Sequence, residues 1–242
     1  MGPYNTPLAL AREPLMAFFW VILAPILFLT GAALIADQFI APFENDPTAE
    51  IAAYHTLWRT TCVVMAVWFG LISYWSDWLG AGPFAGSVRA QSRWLIIGVI
   101  IGPALLILPS LIVASLMPEG EWRFRGEVNA DIFAPQNWTL AYIFIAVILA
   151  PVVEEITFRG IAFGALISRG IGPIAVIILS SLAFAISHLQ YTPAAMIVVF
   201  LSGVGFAVLR LLSGTVIVPI VAHSVANADV LILNWLAASP PT

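Results

Sequence analysis

Charged side chains are scarce in this chain, making up 9% of its 242 residues, against roughly a quarter in ordinary soluble domains. So little charge excludes a soluble globular domain. Lysine is absent; all nine basic residues are arginine, and thirteen acids bring the net charge to -4. With no basic face to meet phosphates, nucleic-acid partners are excluded. Cysteine is rarer still: Cys62 stands alone in an apolar run, which rules out a disulfide framework and a thiolate metal site. The zincin pattern His-Glu-x-x-His is missing, and no internal repeat, soluble domain or low-complexity tail is found. The lack of lysine beside abundant alanine is the composition expected of a GC-rich bacterial genome.

What the chain does have is hydrocarbon, 61% of its residues. Apolar stretches long enough to cross about 30 Å of bilayer fall at 15–36, 54–75, 94–116, 139–168, 171–190, 193–211 and 213–236. The expected fold is therefore all-α: a polytopic transmembrane bundle of about seven helices in the cell membrane, with lipid as its surroundings. The first span is longer than a signal-peptide core and ends at no persuasive cleavage site, so it reads as a retained helix. Two parts are expected, an N-terminal set of about three spans over 1–137 and a helical core over 138–242. Under strict alternation Arg12, Arg89, Arg93, Arg169 and Arg210 fall on one side, which favours a cytoplasmic N-terminus. Gly98-x-x-x-Gly102 and Gly160-x-x-x-Gly164 are small-residue pairs of the kind that let helices approach closely.

Against this background Glu154-Glu155-Ile-Thr-Phe-Arg159 is out of place, because the sequence from Ala141 to Ala150 and from Ile171 to Ile186 carries no charge. A charge at bilayer depth costs at least about 2.5–3.5 kcal/mol, so it persists mainly when paired or used. Glu155 and Arg159 are four apart on one helical face, acid first, which is the favourable order for an ion pair. Glu154 points about 100° away and needs a partner from elsewhere in the chain. Helical rise suggests where. Glu154 lies 16 residues before the expected turn at Gly170 and His188 lies 18 after it, so both stand roughly 24–27 Å from that turn. His223 and Asn227 share a face of the last span and reach nearly the same level from a turn near Leu212, with Pro219 expected to kink that span below them.

Taken singly, each residue has a plainer reading: a lone buried histidine packs more often than it catalyses, an asparagine such as Asn227 is commonly interhelical glue, and Glu155 with Arg159 is first a structural ion pair. Together, from three helices at one depth, they describe a site. A carboxylate beside an imidazole can activate a water, and an amide with a second imidazole can donate to an oxyanion. That combination hydrolyses an amide without a Ser or Cys nucleophile. Two histidines and a glutamate could also hold zinc with a water in the fourth position. A non-enzymatic transporter or partner-binding protein could use the same groups as a proton relay or docking pocket, although a transporter should show paired broken helices in an inverted repeat.

The order and spacing of Glu154-Glu155-x-x-x-Arg159, Phe184-x-x-x-His188 and His223-x-x-x-Asn227 resemble the motifs of the CaaX-protease and bacteriocin-processing family, the type II CaaX prenyl endopeptidases and their prokaryotic relatives. Gly160 and Ser180-Ser181 fit the same pattern, and the resemblance covers about 139–236. It implies an intramembrane endopeptidase acting on a membrane-associated protein or peptide, prenylated or bacteriocin-like. By that resemblance Glu154 and His188 activate the water, His223 and Asn227 form the oxyanion hole, and Glu155 and Arg159 support the site. No cofactor is expected, with zinc as the alternative.

Overall fold

The computed structural model describes residues 92–117, 140–168, 170–188 and 191–238, together with Val63 and Val67 singly, which are helical. Every extended element among them is a helix. Helix α1 is Ser92–Ser115, α2 covers 140–168, α3 is Pro173–Ile186, α4 is Pro193–Ser213 and α5 is Ile217–Ala238. Ser92–Ser115, Pro193–Ser213 and Ile217–Leu236 are long and apolar enough to cross a membrane, and this is an integral membrane protein. The expected spans at 15–36 and 54–75 lie outside the described residues, apart from Val63 and Val67.

Two expectations need correction. The span expected at 171–190 is the 14-residue helix Pro173–Ile186, about 21 Å long and too short to cross the hydrocarbon alone. At its end two side chains converge on one carbonyl of the last turn. Ser187 Oγ donates to Phe184 O at 2.7 Å, and His188 Nδ1 meets the same oxygen at 2.8 Å. His188 therefore sits in the turn after the helix. Nor does Pro219 kink the last span, because α5 begins at Ile217 and places Pro219 in the first turn, where a missing N–H breaks no intrahelical bond.

The ends of α4 follow from local chemistry. Thr192 caps its start by accepting from Ala195 N at 3.3 Å, with Pro193 next. Gly214, at φ 71°, ends it in the left-handed conformation that glycine adopts without a Cβ clash.

Helix α1 is inverted relative to a helix of a soluble protein: Ile96, Ile100, Leu108, Leu111 and Ile112 face outward, while Gly98 and Gly102 are buried. The glycine face meets α5. A Cβ on Gly102 would collide with the carbonyl oxygen of Ala222, the residue before His223. The absent side chain is what sets the distance between α1 and the helix that presents the histidine. Gly102→Ala is accordingly expected to destabilise the protein by about 1–3 kcal/mol through overpacking. Thermal unfolding in detergent checks this against Ile100→Ala, on the outward face, which should leave the midpoint unchanged.

Candidate active site

Helix α2 is not one uniform helix. α-Helical segments alternate with two π-helical ones, Ile145–Leu149 and Ile156–Ala162, and Ala150–Glu155 lies between them. A π-turn bonds i to i+5, takes in an extra residue and leaves the backbone ladder locally incomplete. Glu154 and Glu155 thus close a short α-segment whose rotation is set by an irregular turn on either side.

Glu155 and Arg159 are both fully buried, and Arg159 Nη1 donates to Glu155 Oε1 at 3.1 Å. The ion pair expected from the four-residue spacing forms. Arg159 also reaches across to α4, where Nη2 donates to Gly203 O at 2.9 Å. Its guanidinium lies 4.4 Å from the centre of the Phe184 ring, a cation–π contact in a desolvated setting. A Cβ on Gly203 would stand 2.9 Å from Arg159 Nη2 and 3.1 Å from Phe184, so the arginine fits only where α4 has no side chain.

Glu154 is partly open, with 15% of its side chain exposed. Its two oxygens face two different histidines: Oε1 is 4.0 Å from His188 Nε2, and Oε2 is 3.8 Å from His223 Nε2. Hydrogen-bond chemistry gives the tautomers. A carbonyl only accepts, so His188 Nδ1, 2.8 Å from Phe184 O, carries the hydrogen. Nε2 of the neutral ring is left as an acceptor turned to Glu154. His223 Nδ1, 3.0 Å from Glu155 Oε1, likewise donates to a carboxylate. His223 is clamped further by Phe206, stacked on it at 4.7 Å and 17°, and by the edge of Phe184 at 5.8 Å.

The structure therefore brings Glu154, Glu155, Arg159, His188 and His223 together. Asn227 is directed elsewhere, since its Nδ2 donates to Ala146 O at 2.8 Å, in the first π-helical segment and about two turns from Glu154. Sequence reasoning also missed the bond from Glu155 to His223, since charge spacing pairs that carboxylate with Arg159 alone. Other missed residues are Gly203 and Phe206, which give no signal in a small, apolar helix. Tyr191 is a fourth, its ring 5.2 Å from that of His188. Arg210 changes character: counted above as a charge at the membrane face, it is 4% exposed and donates from Nε to Arg159 O at 3.1 Å.

As to a metal, no group of three or more His, Cys, Asp or Glu side chains among the described residues is arranged to hold an ion. Two ligands of a tetrahedral zinc stand about 3.3–3.4 Å apart, and Glu154 is 4.0 and 3.8 Å from the two histidines. Two acceptors that share one water at ordinary hydrogen-bond lengths are about 4.4 Å apart, and Glu154 and His188 are 4.0 Å apart.

No curated protein and no solved structure matches the chain. A family model does: residues 136–228 match the one described as type II CAAX prenyl endopeptidase Rce1-like. Glu154, Glu155, Arg159, His188, His223 and Asn227 all lie within the matched segment. Over that segment the chain, whose described residues are helical, is similar to the type II CAAX prenyl endopeptidases.

Proposed function

We propose that this protein is an intramembrane endopeptidase of the cell membrane that cleaves a peptide bond in a membrane-associated protein or peptide by attack of an activated water, without a metal. The observation that carries the reading is the placement of the Glu154 carboxylate between two imidazole Nε2 atoms. A water held between Glu154 Oε1 and His188 Nε2 donates one hydrogen to each and turns a lone pair outward. As that lone pair attacks the scissile carbonyl, Glu154 takes the proton and then delivers it to the leaving amine. His223, when Nε2 is also protonated, donates to the oxyanion. Glu155, held by Arg159, keeps His223 oriented. Prenylated proteins and bacteriocin-like peptides are the two substrate classes proposed.

Reconstituted full-length protein, incubated with a membrane fraction and followed by peptidomics, is the test. New termini should appear with the wild type and disappear with His188→Ala. Identical termini from a folded His188→Ala protein would remove the protease assignment, and no new termini from either would leave the transporter or binding reading. Exhaustive chelation with phenanthroline is expected to leave cleavage intact. Activity that is lost and returns only with zinc would overturn the metal-free mechanism.

A further inference from the structure

Both π-helical segments of α2 have a backbone carbonyl taken by a side chain from another helix. In Ile145–Leu149 the carbonyl is that of Ala146, and the donor is Asn227 on α5. In Ile156–Ala162 it is that of Arg159, and the donor is Arg210 on α4, 51 residues away. Arg210 occupies the last turn of an apolar helix, where a cation normally extends toward headgroups. Here it is turned inward and almost fully buried, with its guanidinium 5.6 Å from the Phe163 ring.

We propose that Arg210 is a positioning residue: by binding the Arg159 carbonyl it holds the π-turn at Ile156–Ala162, and so fixes the rotation at which Glu154 and Glu155 face the two histidines. The reason is geometric. A π-turn holds one residue more than an α-turn, and relaxing it to α would swing the preceding segment by about 100° about the helix axis. Glu154 would then leave His188 and His223, with no change in the residues that carry the chemistry. Nε is the donor, and the planar guanidinium lets it meet the carbonyl while the group's face lies toward Phe163.

This proposal rests on the reading of Glu154 as the general base for its functional meaning, but its test needs no turnover. In full-length protein with Cys62→Ser, the pair Glu154→Cys and His188→Cys is joined by a short bifunctional thiol reagent, and the yield is compared with and without Arg210→Met. Loss of one charge-assisted hydrogen bond should lower the cross-linked yield about tenfold and speed amide exchange over residues 156–166. Arg210→Lys, which keeps a charged donor, should retain most of the yield. An unchanged yield in folded Arg210→Met overturns the proposal. So does exchange that rises equally through α1, α4 and α5 in both variants, which would mean that Arg210 merely supports the bundle. Where a cleaved peptide is in hand, Arg210→Met should lower kcat and leave KM unchanged; absence of any cleavage counts against the protease reading and leaves the cross-linking result standing.

Discussion

Glu154→Gln is expected to lower peptide-bond hydrolysis by about 10²–10⁴-fold, the range that a positioned general base contributes, in a protein that unfolds at the same temperature as the wild type. The substitution keeps the size of the side chain and its partly open position, but an amide cannot take a proton from water. Its NH2 can still meet an Nε2 lone pair of His188 or His223, so the pocket should stay closed around it. Stability should hardly change for the same reason: the fully buried charge of the site belongs to Glu155, and Glu154 makes no contact with Arg159 comparable to the 3.1 Å ion pair. Initial rates and thermal unfolding on the same preparation check both halves. A folded Glu154→Gln protein with wild-type turnover would end the mechanism.

Arg159→Met is expected to do the reverse, harming the fold before the chemistry. Removing one member of a buried ion pair costs about 3–5 kcal/mol, because the other charge is left without compensation, and a protein has only about 5–15 kcal/mol to lose. Two further losses add to this. Gly203 O loses its donor, and Phe184 loses the guanidinium packed on its face. Because Glu155 also holds His223 Nδ1, the damage should spread from the ion pair to the histidine. Arg159→Lys should fall between, since a point charge cannot reach Glu155 and Gly203 at once as a planar fork does. Adding Glu155→Gln to Arg159→Met should recover part of the stability by removing the stranded charge. Denaturation of the four proteins in one detergent decides the order; an Arg159→Met protein with full stability and no turnover would contradict it.

Much of this could be read before any coordinates. Composition and run length determine that the chain lives in a membrane and is helical, since nothing else satisfies backbone groups in hydrocarbon. The four-residue spacing of Glu155 and Arg159 determines their ion pair, because that spacing places side chains on one face whatever lies around the helix. Helical rise was enough to place Glu154 and His188 at one level. Glu154 and His188 meet although α3 ends at Ile186 rather than running on and α2 is interrupted by π-turns.

Direction around each helix was decided only by the tertiary structure. Asn227 and His223 share a face of α5, yet one donates to Ala146 O and the other to Glu155. A residue's facing depends on the π-turns opposite it, and those turns have no signature in residue spacing. Arg210 was legible as a charge near a membrane face but not as a donor to a backbone carbonyl 51 residues earlier. Gly102 is legible as one of a small-residue pair and Gly203 is not, and what they admit, the backbone of α5 in one case and a guanidinium in the other, follows only from which helices are neighbours. Periodicity and charge are local properties and survive without the fold. Which carbonyl a side chain meets is settled by packing among separate helices, where a rotation of one residue redirects every contact.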